Sequence, residues 1–320
     1  MKRADRILEL LYDRQEAFCL PDELAAATGM TRTAADRAVE EIARRGQTLE
    51  FSPANGVRLR RPVRLDAHLI ERNLGTKRAG RNVICFEQVD STNDVAFDSA
   101  RQAGADGLAV LAESQRQGRG RRGRRWISPP QAGVLMSVLL IDPASSLAHD
   151  ALTIAAGVAT TQGVEDACGV QCRLKWPNDV LLDDGKLAGV LVEVRRRASR
   201  RCVVVGIGVN VNAAPPARQV GQPARSLAQC LGHSVERIEV ARAVLRRLDD
   251  WVSRIRHGRT DDLHDQWLYR CDMVNQRVCV LCNGKRHVGR VLDVSPLEGL
   301  MLSQDNGLRV ELPAEGSTLL

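Results

Sequence analysis

Residues Ser114–Ser128 read SQRQGRGRRGRRWIS, placing six arginines and three glycines in fifteen residues before a tryptophan. Three chemistries use such a run: a dinucleotide loop, a nucleic-acid patch, or a pocket for a smaller polyanion. Gly118-x-Gly120-x-x-Gly123 matches the dinucleotide fingerprint formally, but that fingerprint needs a helix after its last glycine. Here Trp126, Ile127, Ser128, Pro129 and Pro130 follow, and two consecutive prolines forbid a helix. RNA-binding arginine–glycine segments lie in disordered, low-complexity contexts with interleaved aromatics. This run is flanked by strand-like apolar segments and holds one tryptophan. The remaining reading is a folded loop whose glycines expose backbone amides and whose arginines line a small-polyanion site.

Outward from the loop, the chain alternates strands and helices. VICFEQV, GLAVLAE, GVLMSVLLI, CRLKW, KLAGVLVEV and CVVVGIGVNV read as strands. Thr92 to about Gly104 and Ala148 to about Ala167 read as helices, and IEVARAVLRRLDDWVSRI carries an apolar face from Ala241 to Ile255. The fold class is therefore α+β. In front of it, RADRILELLYD is helical, and Pro21 opens a second helix that Gly29 ends. Thr31 caps a third helix running to about Arg45. TLEFSPANGVRLR then reads as two strands about a turn, so residues 1–65 predict a winged helix-turn-helix. Residues 66–82 are polar and predict a linker. From about Gln276 short strands alone follow, which predicts a small barrel.

The net charge of +7 invites a nucleic-acid partner, but residues 1–65 hold twelve basic and ten acidic side chains. Arginine supplies 41 of 46 cations, a bias that weakens any argument from arginine clusters alone. The second arginine run, RRRASRR at Arg195–Arg201, lies between two apolar segments and reads as a solvated hairpin loop. Nine cysteines scattered among apolar residues suit reduced thiols, and the lone CxxC, Cys279 and Cys282, sits in a strand-like setting without a second pair. No run approaches the length of a membrane span and no signal-peptide core follows the N-terminus, so no membrane and a cytoplasmic location are expected.

Further clusters carry chemistry. KWPND (Lys175–Asp179) and KLAGVLVE (Lys186–Glu193) contain two of only five lysines, within a span of twelve residues. In so arginine-rich a chain, that suggests sites needing a compact ammonium. Asn178 and Asp179 suit a base edge, a ribose or Mg²⁺, although Pro-Asn-Asp also makes turns. In QVDSTND, Ser91, Thr92 and Asn93 offer hydroxyls and an amide to an uncharged polar ligand, or merely cap a helix. In GIGVNVN, Gly206 and Gly208 interrupt an apolar strand, where glycine marks a close approach. Positive charge, phosphate-cradling glycines, a neutral polar pocket and a carboxylate together suit ATP-dependent activation of a carboxylic acid. One cation at about 4 Å offsets roughly 4 kcal/mol of the repulsion between carboxylate and phosphate at an effective dielectric of 20.

The order DSTN (Asp90–Asn93), GRGRRGRRW (Gly118–Trp126), KWPND, KLAGVLVE and GIGVNVN (Gly206–Asn212) resembles the bifunctional bacterial biotin protein ligases that also repress the biotin operon. Each motif alone is weak; five in order are specific, and with the front and rear units the resemblance spans nearly the whole chain. It implies a winged helix-turn-helix at 1–65, a linker at 66–82, a catalytic mixed sheet of the class II synthetase and biotin ligase kind at 83–271, and an SH3-like barrel at 272–320. It implies biotinyl-5′-AMP formation from biotin and MgATP, then transfer to a lysine of the biotin carboxyl carrier domain of acetyl-CoA carboxylase. By position, Ser91, Thr92, Asn93, Gln115, Arg119, Gly120, Arg121, Lys186, Gly206 and Gly208 would hold biotin. Arg119 would also order the loop over the adenylate. Arg121, Arg124, Trp126, Lys175, Asn178 and Asp179 would fall on the ATP side. Lys186, with Arg119 and Asp179, would carry catalysis, and Asp179 is a candidate Mg²⁺ ligand. Thr31, Arg32, Thr33 and Arg37 would meet operator DNA in a homodimer.

Three features depart from the family. Gln117 stands where relatives often carry alanine just before the first glycine of the loop, a change the loop tolerates. Asp36 stands where relatives carry an aromatic, and Ala38 where they carry a basic or imidazole side chain, which bears on DNA and leaves the ligase untouched. The alternatives are a lipoate or octanoate ligase, which would need a long apolar tunnel, a biotin-sensing regulator without turnover, and an RNA-binding protein.

Overall fold

The computed structural model describes residues 2–142, 146–177, 179–197, 200–295, 298–313 and 316–319, without the side chain of Arg197. Three helices open the chain, α1 (Arg3–Asp13), α2 (Pro21–Thr28) and α3 (Arg32–Arg44), followed by an antiparallel hairpin of β1 (Leu49–Ser52) and β2 (Gly56–Leu59). Pro21 occupies the first turn of α2, Gly29 ends it in the left-handed conformation at φ +65°, and the Thr31 hydroxyl caps α3 by accepting from Ala34 N–H at 3.3 Å. The buried faces of α1 and α3 repeat at helical spacing: Ile7, Leu8 and Leu11 meet Ala35, Ala38, Val39 and Ile42.

Segment 66–82 is not merely polar. It holds the short helix α4 (Ala67–Glu71), capped by Asp66, with Leu69 and Ile70 buried. Beyond it lies a seven-stranded mixed sheet made of β3 (Asn82–Val89), β4 (Leu108–Gln115), β5 (Gly133–Ile141), β6 (Arg173–Lys175), β7 (Asp179–Leu182), β8 (Gly185–Arg197) and β9 (Arg200–Asn210). The spatial order is β3-β4-β5-β9-β8-β7-β6. Only β3 and β4 are parallel, joined by helix α5 (Thr92–Ser99); all other neighbours are antiparallel. Helix α5 stops at Ser99, five residues short of Gly104, and the Ser99 hydroxyl bonds back to the Val95 carbonyl at 2.8 Å.

Both faces of the sheet are covered, so its central strands read as apolar runs. One face takes α6 (His149–Cys168) and, after two short helices α7 (Ala217–Val220) and α8 (Leu227–Leu231), the long α9 (Arg237–Arg256). The other face takes α5: Ala96, Phe97 and Ala100 pack on Val110, Leu139, Cys202 and Val204. Helix α10 (Leu263–Leu268) leads to a separate sheet of β10 (Arg277–Cys282), β11 (Lys285–Ser295), β12 (Gly299–Gln304), β13 (Arg309–Leu312) and β14 (Ser317–Leu319), ordered β13-β12-β11-β10-β14.

The arginine run at 195–201 is not a solvated loop. Strand β8 continues to Arg197 and β9 begins at Arg200, with Arg195 paired to Cys202 and Arg196 to Arg201. Residues 198 and 199 lie outside the described residues. Arg201 pairs with buried Asp142 and donates to the Leu147 carbonyl at 2.9 Å, tying the β5 exit to the hairpin.

A buried ion pair joins the front of the molecule to this sheet. Arg237, on the first turn of α9, and Glu113, on β4, are 2% and 4% exposed and meet at 2.5 Å. Glu113 also accepts from Leu65 N–H at 2.8 Å, and Arg237 donates to the carbonyls of Val63 and Gly133.

Helices α6 and α9 cross closely because Gly163 has no side chain: a Cβ there would lie 2.6 Å from the backbone of Val244. Gly163→Ala should therefore cost about 1–3 kcal/mol as overpacking. Urea unfolding measures this, and an unchanged midpoint would contradict the close approach.

Candidate functional site

Alternate residues of β9 that face α5 run Cys202, Val204, Gly206, Gly208 and Asn210. The first two lie beneath the helix. Gly206 lies against Asn93 in the first turn of the helix, and from there the sheet becomes the floor of a cavity of about 860 Å³. The register completes that floor across three strands: Ser137 on β5 and Leu191 on β8 flank Gly206, while Leu135 and Gly189 flank Gly208. Strict alternation would put Lys186 and Gly189 on opposite faces of β8. A register shift against β7, between Val180 and Leu181, adds one residue and reverses the phase. Lys186 thus joins the cavity face, its Nζ 3.4 Å from where a Gly189 Cβ would lie.

The N-terminus of α5 forms one wall. Ser91, Thr92 and Asn93 are all less than 5% exposed. Gln115 Oε1 accepts from Thr92 N–H at 2.8 Å and lies 3.1 Å from the Thr92 hydroxyl. The Ser137 hydroxyl sits 2.6 Å from Thr92 Oγ1 and 2.5 Å from Asn93 Oδ1, and Asn93 Nδ2 donates to Glu193 at 2.6 Å. The close approach at Gly206 is made by protein: a Cβ would lie 2.4 Å from Asn93 Oδ1.

The arginine loop closes the opposite side. Trp126 N–H donates to the Gly118 carbonyl at 2.9 Å and Gly120 N–H to the Arg124 carbonyl at 2.7 Å. A single 3₁₀ turn spans Arg121–Gly123. The Trp126 indole lies against the floor, 2.4 Å from where a Gly208 Cβ would stand. Lys186 Nζ lies over that indole at 5.7 Å from the ring centre, and it pairs with Asp179 at 2.7 Å. Burial pulls the Arg121 guanidinium below its usual range, and neighbouring Arg122 adds to the effect. Arg124, Lys175 and Asp179 also line the cavity. Asn178 lies outside the described residues.

Arg119 has a placement that the sequence did not foresee. Its guanidinium is turned to two protein carboxylates, Asp94 at 2.5 and 3.0 Å and Glu193 at 3.0 Å. Those bonds push the Arg119 pKa up, the Asp94 bond most. Asp94 is held below the ordinary carboxylate range, chiefly by its bond from Arg119. Burial by itself would raise Glu193, but the bonds from Asn93 and Arg119 outweigh it and lower the pKa.

Several wall residues were missed in the sequence. Ser137 lies in no motif, while Asp94 ends QVDSTND, Arg195 opens RRRASRR, and Glu193 and Asn210 sit inside KLAGVLVE and GIGVNVN. The segment 219–224 runs alongside Lys186, whose N–H donates to the Pro223 carbonyl at 3.0 Å. Ser317, Thr318 and Leu319 of β14 reach the rim, where the Thr318 hydroxyl meets Arg122. Four buried polar atoms in this wall have no hydrogen-bond partner among the described residues: Trp126 Nε1, Trp176 Nε1, Asn210 Oδ1 and Ser317 Oγ. Such atoms suit a polar ligand that completes them. No cluster of three or more His, Cys, Asp or Glu side chains suited to a metal occurs among the described residues. Mg²⁺ carried by a nucleotide needs none, since it keeps waters and phosphate oxygens and uses one or two carboxylates.

The fold and this site define an enzyme class. Residues 85–210 match the biotin/lipoate A/B protein ligase family. Within it, the chain belongs to the biotin protein ligases. It is 33% identical over 262 residues to the "Bifunctional ligase/repressor BirA" of Bacillus subtilis, covering 79% of this chain and 80% of that one. It is 32% identical over 268 residues to the "Biotin--[acetyl-CoA-carboxylase] ligase" of Mycobacterium tuberculosis, covering 82% and 97%. The "Biotin protein ligase from Aquifex aeolicus in complex with biotin and ATP" superposes with a TM-score of 0.65 at 25% identity, covering 75% of this chain and 99% of that one.

The depressed carboxylates have a pH consequence. A group whose pKa is lower in the folded state contributes stability above its unfolded pKa, near 4, and loses it as pH falls through the folded value. Glu193→Gln should therefore be less stable than wild type at pH 7, with the gap narrowing below about pH 4. Urea midpoints across that range measure it; a gap that widens toward acid would contradict the assigned direction.

Proposed function

We propose that this chain activates biotin with ATP and passes it to a lysine of a biotin carboxyl carrier domain. The observation that carries the reading is the position of Lys186, on the cavity floor between the neutral wall of Ser91–Asn93 and the arginine loop. In this reading Ser91, Thr92, Asn93 and Gln115 hold the uncharged end of biotin, with Gly206 and Gly208 keeping the floor open to Asn93 and Trp126. Gly120 and Arg121 flank its carboxylate. Arg121, Arg124, Lys175 and Asp179 serve the nucleotide, with Trp126 beside the adenine.

The biotin carboxylate attacks the α-phosphorus, an acyl–phosphate bond forms, and pyrophosphate leaves. The Lys186 ammonium neutralises charge on both anions as they approach, the repulsion that otherwise blocks the step. Asp179 holds that ammonium in place until substrates compete for it. Arg119 acts from behind, anchoring the loop to Asp94 and Glu193. Mg²⁺ would accompany the triphosphate, with Asp179 as its available carboxylate, and would stabilise the departing pyrophosphate. In the second step the neutral amine of the carrier lysine attacks the acyl carbon and AMP leaves. That lysine has an unperturbed pKa near 10.4, so it must lose a proton, and Asp179, a carboxylate lining the cavity, is the candidate acceptor.

The remaining units fit a repressor. The three helices and hairpin of residues 1–65 suit a winged helix-turn-helix, and the five rear strands of 272–320 an SH3-like barrel. Thr31 caps α3, and Thr33 and Arg37 lie exposed on it. Arg32 is engaged by Asp22 at 2.9 Å, while Asp36 and Glu40 are exposed on the same helix and oppose phosphate. Operator DNA and a homodimer are therefore the reading's outer layer, independent of the ligase.

Biotin-dependent ATP–pyrophosphate exchange tests the core, with lipoate and octanoate in parallel. Exchange with biotin alone is expected, and Lys186→Ala should lower it by roughly 10²–10³-fold with the fold intact. Near wild-type exchange in that variant would remove Lys186 from the chemistry, and exchange with octanoate or lipoate instead would reassign the substrate.

A further inference from the structure

Strand β8 places Glu193 and Arg195 two residues apart on one face. Helix α5 places Asp94 and Phe97 three residues apart on the facing side. Arg195 bridges these elements: Nη1 meets Asp94 at 3.1 Å, Nη2 meets Glu193 at 3.0 Å, and the guanidinium lies over the Phe97 ring at 4.3 Å. Since Arg119 contacts the same two carboxylates, the four charges alternate around a closed ring. With Arg119 alone, two carboxylates would compete for one guanidinium and repel each other, and Glu193 would be free to turn from Asn93. The second arginine brings the ring to neutrality and holds Glu193 Oε1, which fixes Oε2 where it accepts from both Arg119 and, at 2.6 Å, Asn93 Nδ2.

We propose that Arg195 is a positioning residue for the biotin-side wall. It acts through Glu193 and Asp94 on the Asn93 carboxamide, while the loop keeps its own anchor in the bonds of Arg119 to the same carboxylates. Arg195 touches neither reacting atom, and the proposal rests on the assignment of Ser91–Asn93 to biotin. Lysine cannot reproduce the fork to both carboxylates, but it keeps the charge that balances them.

Steady-state ATP–pyrophosphate exchange on the full chain separates the possibilities, comparing wild type with Arg195→Ala, Arg195→Gln and Arg195→Lys. Arg195→Ala and Arg195→Gln should raise KM for biotin about tenfold, with KM for ATP and kcat within about twofold, and Arg195→Lys should recover KM to within about threefold. Should the alanine variant fail to fold, the contrast between glutamine and lysine decides. An unchanged KM for biotin in the folded variants would overturn the proposal. So would a parallel fall in kcat/KM for both substrates that follows thermal stability, since that marks a merely structural contact. A wild-type chain without biotin-dependent exchange would instead remove the biotin assignment, and this proposal with it.

Discussion

The ion pair between Glu113 and Arg237 is the contact on which both halves of the molecule depend. It is almost fully buried, and it is bonded to the backbone of two other segments: Leu65 N–H and the Val63 carbonyl in one, the Gly133 carbonyl in the other. The exit of the front helices, the start of β5, strand β4 and helix α9 are thereby held at one point. Replacing either partner alone would leave an uncompensated buried charge, a loss on the order of 3–5 kcal/mol. The pair also reaches the site. Two residues after Glu113 comes Gln115, which accepts the Thr92 amide at the head of α5, and the arginine loop follows directly. The position of the neutral wall is thus set from the sheet outward, not by the loop.

The same economy of charge governs the cavity. A site for a carboxylate and a triphosphate has to collect cations, and uncompensated cations this close would repel one another before any ligand arrived. Carboxylates separate them: Asp179 holds Lys186, while Asp94 and Glu193 hold Arg119 and Arg195. The two arrangements differ in what a ligand can displace. The lysine pair is a single contact at the open floor, which an incoming anion can exchange. The four-charge ring is multiply bonded behind the wall, so it serves as a frame.

Much of this was legible in the sequence, for identifiable reasons. Prolines after the arginine run excluded a helix, and the loop with its 3₁₀ turn is what remained. Gly206 and Gly208 read as a break in an apolar strand where something approaches closely, and both lie on the cavity floor. Long-range charge pairing was not legible. Arg195 reads as part of a solvated turn because nothing in RRRASRR reveals Asp94 a hundred residues earlier. The phase reversal that brings Lys186 to the floor depends on pairing between β7 and β8, and β7 itself is too short to stand out beside KWPND. Gly206 and Gly208 read as room for a ligand; the structure fills that room with Asn93 and Trp126, which lie far from both along the chain.

The central claim is that one cavity first joins biotin to AMP and then releases it to an amine. The direct measurement isolates the enzyme after incubation with biotin and MgATP, removes free nucleotide, and adds a carrier domain. Biotinyl-5′-AMP recovered from the isolated complex, and biotin appearing on a carrier lysine without further ATP, is the result this account predicts. A complex that holds no adenylate, or transfer that still requires added ATP, would contradict it.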